Sequence, residues 1–455
     1  MSMLMAAMIA AAPAAPSTAD ARAMLERLVA FETVAGRGQV PAMAEYLAGE
    51  LNAAGFPSEE VRLERVGDSA MLTVRLRGRD GAGGAPVIFL AHMDVVDARR
   101  SDWRTDPWKL TEAAGKLHGR GVVDNKYGLL TIVRAFIRLK REGFVPSRDL
   151  VAAFTGDEET SMATTKLLAE RLRGAAFAVN ADAGGGFRPK NGAQASYYAQ
   201  ASEKTYVSFE VTARNPGGHS SAPRADNAIY DLADALKRIA GHRFPVRWNE
   251  ASLSGLAGSA AGMDGEDRAA ALRFLESPGD KAAVAVLEKD PWVNRELRTT
   301  CVATVLRAGG EENVLPTSAS ATVNCRAFPG ETIADVKAAL AAAIGNGKIE
   351  IKTLGDPAES PATPIPEAAS RALKAVMAVR APGGAVTQYM EAGATDGLHF
   401  RRAGIPTIGA GPLFSTNGVS YNYHAVDEGL PVDQFVDGLD HFYLFIKALE
   451  SPGSK

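Results

Sequence analysis

Several polar residues with the chemistry of metal ligands follow strand-like segments of this sequence, and His92 and Asp94 are the first of them. They end the apolar run at residues 87–91, which predicts a buried strand. Side chains two residues apart on a strand point to the same face, and ligands collect at the carboxyl ends of strands in open α/β sheets. An imidazole and a carboxylate at that place indicate a metal site.

Four further groups follow along the chain, each beside a predicted strand end or a turn. They are the Gly119-Arg120-Gly121 turn with Asp124, the adjacent Glu158 and Glu159, the strand-end Asp182, and His424 in a loop rich in glycine and asparagine. Each group has an ordinary alternative. Asp124 precedes a predicted helix and would also serve as a plain N-cap, and the glutamates would also suit an acidic loop.

The segments that must position these residues alternate between strands and helices. Buried strands are predicted at residues 87–91, 150–155 and 175–181, and an amphipathic helix at residues 126–142. Such alternation is typical of an α/β fold in which helices cover both faces of a mostly parallel sheet.

The pattern changes after the third strand, where residues 205–213 alternate as in a half-exposed sheet. We predict a metal-binding catalytic domain at residues 21–203 and 357–455. An α+β domain is inserted at residues 204–356. The stretch at about 241–296 shows no clear periodicity, and we interpret it as a long insertion in that second domain.

The composition excludes several classes of protein. The chain has 455 residues, 46% of them hydrophobic and 23% charged, and its net charge is −3. No basic run favours nucleic acid, and no apolar stretch reaches the roughly 18 residues that would span a membrane. We therefore expect a globular protein with neither nucleic acid nor membrane as a partner.

Residues 1–20 differ from the rest, because residues 3–16 are almost all alanine, methionine, leucine, isoleucine and proline. This segment resembles a secretory signal without the usual basic start. It is either a truncated signal peptide or a loose amphipathic lead-in. The first interpretation, which we favour, predicts a periplasmic or secreted protein, and the second a cytoplasmic one.

The two cysteines, Cys301 and Cys325, lie in strand-like segments. We expect cross-strand neighbours that are buried free thiols rather than a disulfide, although two cysteines do not fix the redox compartment.

Taken in order, the five groups resemble the M20 family of metallopeptidases, which includes carboxypeptidases, dipeptidases and aminoacylases. The resemblance runs from about residue 25 to residue 448, and the long insertion is most similar to that of the carboxypeptidase S-like members. It implies the α/β catalytic domain above with an inserted lid or dimerisation domain. It also implies two divalent metal ions, zinc in the first instance, with cobalt or manganese as alternatives.

The resemblance assigns the metal ligands. His92 and Asp182 would bind one ion, Glu159 and His424 the other, and Asp124 would bridge the two. Asp94 would orient His92 through its ring N–H.

The catalytic groups follow from the same resemblance. Glu158 would be the general base. His219 would donate to the carbonyl oxygen of the substrate, reaching the active site of a partner subunit or, in a monomer, its own. We expect a homodimer formed through the outer strand and helix of the inserted domain, unless the long insertion caps that edge.

Four residues are expected to contact the substrate. Asn313 and Arg326 would bind its carboxylate, although Arg326 would equally suit an ion pair. Gly393 and Thr395 belong to a loop that resembles the family's G-G-T-D-A sequence, here with Ala394 in place of the second glycine. The added methyl group would narrow the pocket.

The predicted function is that of a metal-dependent hydrolase, a carboxypeptidase or dipeptidase that cleaves a peptide or amide bond near a free carboxylate. The alternative within the family is an N-acyl amino-acid deacylase. Two rivals remain: a non-catalytic binding protein, and a single-metal hydrolase in which Asp124 only caps its helix.

Overall fold

The computed structural model describes residues 17–79, 84–190, 192, 194–260 and 262–451. Most of the signal-like lead expected at the N-terminus lies outside these residues. None of the helices that the described residues form is both long enough and apolar enough to cross a bilayer.

The helices are given in chain order. They are α1 (Thr18–Ala30), α2 (Val40–Ala53), α3 (Lys126–Arg141), α4 (Ala163–Arg171), α5 (Ala228–Gly241), α6 (Glu250–Ala260), α7 (Gly265–Glu276), α8 (Lys281–Leu287), α9 (Pro291–Leu297), α10 (Ile333–Ile344), α11 (Glu367–Arg380), α12 (Gly397–Arg402), α13 (Val432–Gly438) and α14 (His441–Leu449).

The strands follow in the same way. They are β1 (Val61–Val66), β2 (Ser69–Leu76), β3 (Val87–His92), β4 (Thr111–Ala113), β5 (Lys116–His118), β6 (Leu150–Thr155), β7 (Phe177–Asn180), β8 (Gly185–Arg188), β9 (Ser196–Glu203), β10 (Thr205–Arg214), β11 (Gly218–His219), β12 (Thr300–Ala308), β13 (Val314–Leu315), β14 (Ser318–Ala327), β15 (Glu350–Leu354), β16 (Ala385–Glu391), β17 (Thr407–Gly409), β18 (Phe414–Thr416) and β19 (Gly429–Pro431).

The chain forms two compact units. The first contains the described residues up to Tyr197, Pro366–Val386 and those from Gly409 onward, and the second contains Tyr198–Ile365 and Thr387–Ile408. The second unit thus begins and ends within ten residues of the predicted inserted domain. It also contains residues 387–408, which were predicted to belong to the catalytic domain. These residues include most of β16, which pairs with β9, and most of β9 also lies in the second unit.

The first unit is built around strand β3. This strand lies between β6 and β7 and runs parallel to both, while β2 pairs antiparallel with β6. Every residue of β3 and β6 is buried, as expected for strands covered on both faces. Phe89 of β3 contacts the rings of Phe136 in α3 and of Phe442 and Phe445 in α14. The predicted α/β class, with helices around a mostly parallel sheet, is confirmed.

The second unit contains an antiparallel sheet in the order β12-β14-β10-β15. The alternation predicted at residues 205–213 places Val207, Phe209 and Val211 in the core, and side chains of α5 and α10 complete that core. The edge strand β12 is mostly exposed.

The long insertion, for which no helices or strands were predicted, forms the four helices α6 to α9. These helices have a core of their own around Leu256, Phe274 and Leu287, and much of the rest of it is alanine. Short helices that bury alanine show little contrast between apolar and polar faces, so their periodicity is weak in the sequence.

The expectation for the cysteines was half wrong. Cys301 of β12 and Cys325 of β14 are cross-strand neighbours in register, but they form a disulfide, with a Cα–Cα distance of 4.1 Å. The sequence predicted the pairing of the strands and not the oxidation of the thiols.

Candidate metal centre

Three neighbouring strands bring the candidate ligands to one edge of the first unit's sheet. Strand β3 ends at His92, and the parallel strands beside it, β6 and β7, end at Thr155 and Asn180. Because parallel strands end at the same edge, the loops that follow them meet there. These loops carry the acidic pair after β6 and Asp182 after β7.

The Asp124 carboxylate lies between two imidazoles. Its Oδ1 is 3.0 Å from Nε2 of His92, and its Oδ2 is 3.0 Å from Nε2 of His424. Nε2 of His424 is also 3.0 Å from Oε1 of Glu159, and Nε2 of His92 is 3.5 Å from Oδ1 of Asp182. The residues therefore form two groups that share Asp124.

Glu158 joins one of these groups. Potential ligand atoms of His92, Glu158 and Asp182 lie within 4.8 Å of one another, and so do those of His92, Asp124 and Glu159. Glu158 is buried, with 8% of its surface exposed. All five predicted ligands and the predicted base are thus close together, while their roles stay predictions.

The ring of His92 is oriented by the main chain. Its Nδ1 lies 2.9 Å from the carbonyl oxygen of Asp94. A carbonyl oxygen only accepts hydrogen bonds, so Nδ1 carries a proton, and in the metal-free protein Nε2 faces the Asp124 carboxylate as a second donor. When Nε2 gives up its proton, Nδ1 keeps the other one, which leaves the tautomer that binds a metal through Nε2.

The side chain of Asp94 has a different partner from the one predicted. Its carboxylate accepts the backbone N–H groups of Glu158, at 3.1 Å, and Glu159, at 2.9 Å. Its Oδ1 is 3.6 Å from Nδ1 of His92, beyond ordinary hydrogen-bond distance. The carbonyl oxygen of Asp94 accepts the hydrogen bond that orients His92, while its carboxylate receives the N–H groups of the predicted base Glu158 and the predicted ligand Glu159.

Asn125, the residue after Asp124, also belongs to the site and was not among the predicted residues. Its Nδ2 donates a 2.8 Å hydrogen bond to Oδ1 of Asp182. Gly128, in the first turn of α3, leaves room for this amide, since a Cβ atom there would collide with Oδ1 of Asn125. The signal available in the sequence was an asparagine directly after a candidate ligand.

The crowded charges shift the pKa values of the site. Burial alone would lower the pKa of His92, but neighbouring carboxylates, first that of Asp182, hold it well above 6.5. Burial raises the pKa of Asp182 to about 7, and the Asp124 carboxylate contributes to the rise. Hydrogen bonds to Asp124 and Glu159 raise the pKa of His424 to about 10. Protons therefore occupy part of the site in the metal-free protein.

The donor set fits a divalent cation. It offers imidazole nitrogens and carboxylate oxygens without thiols, a combination that zinc, cobalt and manganese accept. The site has four carboxylates and two imidazoles, which leaves an excess of negative charge in a mostly buried place. The pKa of Asp182 is raised because burial, together with the nearby Asp124 charge, disfavours its ionised form. A bound cation would neutralise that excess.

The sequence matches the model of Peptidase family M20/M25/M40 over residues 88–448. The chain belongs to this family. The matched region contains every predicted metal ligand, and membership in this family of metallopeptidases implies that the site binds a divalent metal.

Named relatives of this M20 chain differ in what they act on. The human N-fatty-acyl-amino acid synthase/hydrolase PM20D1 is 29% identical over 259 residues, which cover 55% of this chain and 51% of the human protein. A probable carboxypeptidase S-like 2 of Dictyostelium discoideum is 24% identical over 80% of this chain and 72% of its own length. The chain thus spans about half the length of the human relative.

Solved M20-type structures share the fold. A metallo-carboxypeptidase of the family from Sulfolobus solfataricus, Sso-CP2, aligns with a TM-score of 0.70 and 19% identity over 95% of this chain and 99% of its own. The dipeptidase Dug1p from Saccharomyces cerevisiae aligns with a TM-score of 0.67 and 17% identity over 96% and 97%. At these identities the likeness establishes the architecture.

The remaining predicted residues lie in the second unit, and two of them are neighbours. His219 is in β11, which pairs with β13 so that His219 lies opposite Val314. The carbonyl oxygen of Asn313 accepts the N–H of Ser220 at 3.0 Å. The His219 side chain is exposed, and its Nδ1 is 2.8 Å from Oγ of Ser221. Nε2 of His219 takes no part in this hydrogen bond.

Arg326 stacks on an aromatic ring. Its guanidinium lies 4.5 Å from the centre of the Tyr206 ring, opposite it across β10 and β14. Nη1 also lies 3.5 Å from the carbonyl oxygen of Ala392. No ion pair of Arg326 occurs among the described residues, so the ion-pair alternative is not observed.

The loop that carries Gly393 and Thr395 is held internally. The N–H of Gly393 donates to Oε1 of Glu391 at 3.2 Å. The hydroxyl of Thr395 donates to Oε2 of Glu203 at 2.9 Å, and Glu203 pairs with Arg401 in a fully buried ion pair. The proton of the Thr395 hydroxyl is therefore engaged within the protein, and its contact with substrate stays a prediction.

Replacing Asp94 should disturb Glu158 and Glu159 more than it disturbs His92. An Asp94→Asn amide keeps one acceptor but places N–H donors against an N–H group of Glu158 or Glu159. We expect metal affinity or turnover to fall by about 10–100-fold, measured by chelator competition and steady-state kinetics. The fold and the tautomer of His92 should be retained. Wild-type metal affinity and turnover in this variant would show that the acidic pair does not depend on Asp94.

Metal affinity should rise with pH. The raised pKa values of His424 and Asp182 mean that both hold protons below about pH 7 in the metal-free protein. A binding metal must displace those protons. Titrations with zinc at pH 6, 7 and 8 should give increasing affinity and detectable proton release. An affinity that stays constant over this range would contradict the assignment of these residues as ligands.

Proposed function

We propose that this M20 protein is a metal-dependent hydrolase that cleaves a peptide or amide bond next to a free carboxylate. One observation carries the proposal: a single carboxylate, Asp124, faces the imidazoles of both His92 and His424, with further carboxylates beside each. This arrangement suits two cations that share a bridging ligand. The rival with a single metal, in which Asp124 only caps its helix, does not account for its two histidine contacts.

The two cations would be held by residues of the first unit. His92, Asp182 and Asp124 would bind one ion, and Asp124, Glu159 and His424 the other. Zinc is our proposal for both, on the chemistry of the nitrogen and oxygen donors. When bound, two such ions lower the pKa of a shared water toward neutrality and polarise the scissile carbonyl.

Glu158 would move the proton. In the reaction, the oxygen of a water forms a bond to the carbonyl carbon, and the Glu158 carboxylate takes the proton that this water loses. The carbon–nitrogen bond then breaks, and Glu158 returns the proton to the leaving nitrogen. The second proton of the water stays on the new carboxyl group, so the products are a carboxylic acid and an amine, which ionise to a carboxylate and an ammonium group at neutral pH. The hydrogen bond from its N–H group to Asp94 helps to fix Glu158 for both transfers.

Residues of the second unit would bind the substrate. His219, exposed on the β11–β13 pair, would donate to the developing oxyanion, from the same subunit or from a partner. Arg326 would bind the free carboxylate through its guanidinium. Its observed contacts are an aromatic ring and a carbonyl oxygen, which leave its charge without a carboxylate partner among the described residues.

A second candidate is hydrolysis of N-acyl amino acids. The observation that favours it is the match to N-fatty-acyl-amino acid synthase/hydrolases of several vertebrates, including the human protein. Both candidates use the same bond type and the same free carboxylate, and they differ in the group on the acyl side of the bond.

A substrate panel with one active-site variant tests these proposals. The zinc-loaded protein should hydrolyse dipeptides or N-acyl amino acids, and much less their carboxyl-amidated forms. Glu158→Gln should lower kcat by about 10²–10⁴-fold without loss of metal. The exposed Glu367→Gln serves as the matched control and should be neutral. Activity on acyl compounds alone would rule out the peptidase, and no hydrolysis of either class would overturn the proposal.

We also propose a homodimer that forms through the second unit. Apolar side chains are exposed on the edge strand β12, where Val302 is 61% and Leu306 64% exposed, and on α5, where Tyr230 is 67% exposed. An unpaired strand edge with exposed apolar residues is typical of an association surface.

Light scattering coupled to size exclusion tests the homodimer. The wild-type protein should elute at twice the mass of the chain, and Leu306→Lys should shift it toward the monomer by placing a charge in the interface. Val145→Lys, at a residue of the first unit that is 53% exposed, is the matched control. A monomeric wild type would refute the homodimer and leave the hydrolase proposal intact.

A further inference from the structure

Glu428 lies four residues after His424 and has no solvent exposure. Its Oε1 accepts the N–H groups of Val123, at 2.8 Å, and Asp124, at 3.1 Å. Its Oε2 accepts the N–H of Gly121 at 2.9 Å and Nη1 of Arg120 at 2.8 Å. One carboxylate therefore receives four donors from a single segment of five residues.

These four donors leave Glu428 no role as a ligand. An ionised carboxylate has about four lone-pair positions, and each of them has a donor here. The group is therefore saturated by protein N–H groups, and its function must be exerted through the segment that it binds. That segment ends at Asp124, the residue between the two imidazoles.

Arg120 extends the connection to the other side of the site. Only 3% of Arg120 is exposed, and its Nη2 donates to the carbonyl oxygen of Ala425 at 3.1 Å. Ala425 directly follows His424. The guanidinium also lies 5.0 Å from the centre of the Trp103 ring. The buried Arg120–Glu428 pair thus contacts both the segment of Asp124 and the loop of His424.

The loop of His424 needs such an external support. Asn422, His424 and Asp427 all have φ between +55° and +56°, the left-handed region that residues other than glycine rarely adopt. Backbone in this region persists when surrounding contacts hold it there. Arg120 supplies one of those contacts, and the pairing of Gly429 with His118 supplies another.

We propose that Glu428 and Arg120 are positioning residues that set the distance between Asp124 and His424 and thereby the metal affinity, although neither binds metal. Asp124 and His424 are 300 positions apart in sequence, and their side chains lie 3.0 Å apart. The pair is a direct link between their two backbones that involves the side chain of neither candidate ligand. This inference rests on the metal site of the proposed function.

The test is the zinc affinity of a Glu428→Gln variant. The amide has nearly the shape of the carboxylate, but its NH₂ group must face either Arg120 and Gly121 or the N–H groups of Val123 and Asp124. We expect the affinity of the folded variant to fall by about 10–100-fold, measured by chelator competition and metal analysis. The kcat at saturating zinc should fall less than the affinity.

Asp437→Asn is the matched control. Asp437 accepts hydrogen bonds from Arg188, at 3.0 Å, and from the buried Arg380, at 2.6 Å, in the same unit, and it contacts no candidate ligand. We expect this variant to lower the melting temperature and to bind zinc as the wild type does. A general loss of stability would therefore not reproduce the effect expected at Glu428.

Arg120→Lys decides the question if Glu428→Gln does not fold. The lysine keeps a positive charge beside Glu428 but cannot also reach Ala425, so we expect a smaller loss of affinity, about tenfold. Zinc affinity within twofold of the wild type in the folded variants would overturn the inference and make the pair purely structural. A wild-type protein that binds no zinc would instead refute the proposed function.

Discussion

The Asp124 carboxylate must satisfy two imidazoles at once, one from residue 92 and one from residue 424. That requirement fixes much of the first unit. His92 is placed by the end of a fully buried strand, and its tautomer by a main-chain oxygen. His424 comes from a loop whose backbone is itself held in an uncommon conformation. A mostly buried site with this much negative charge favours a bound cation. The hydrogen bonds of Arg120 and Glu428 hold the segments of Asp124 and His424 beside each other.

The positions of the candidate site residues could be located from the sequence because they depend on local features, while their roles as ligands come from the resemblance to the M20 family. His92 and Asp182 stand at or just beyond the ends of apolar runs, and parallel strands bring such ends to one edge. The order of the five groups then identified the family. The helical insertion and the disulfide were not predictable in the same way. The first has weak periodicity because it buries alanine, and the second depends on the redox environment as well as on the register of β12 and β14.

The partners of the ligands were harder to predict than the ligands. The carboxylate of Asp94 binds N–H groups of residues 158 and 159, and Glu428 binds N–H groups of residues 121 to 124. Backbone N–H groups are present in every residue except proline, so nothing in the sequence singles out the ones that donate to a given carboxylate. Such contacts emerge only when distant segments are placed together, and they include the contacts of Glu158, the proposed general base.

The backbone carbonyl and the side-chain carboxylate of Asp94 contact different residues, so a substitution of Asp94 would affect those residues differently. Any amino acid at position 94 would offer His92 the same carbonyl oxygen, so the protonation pattern of that ligand is insulated from substitution there. The acidic pair has no such insulation, since only a side chain with two acceptor oxygens at the right reach can hold both N–H groups. Substitutions of Asp94 would therefore impair the proton transfer proposed for Glu158, while Nε2 of His92 would stay positioned to bind a metal.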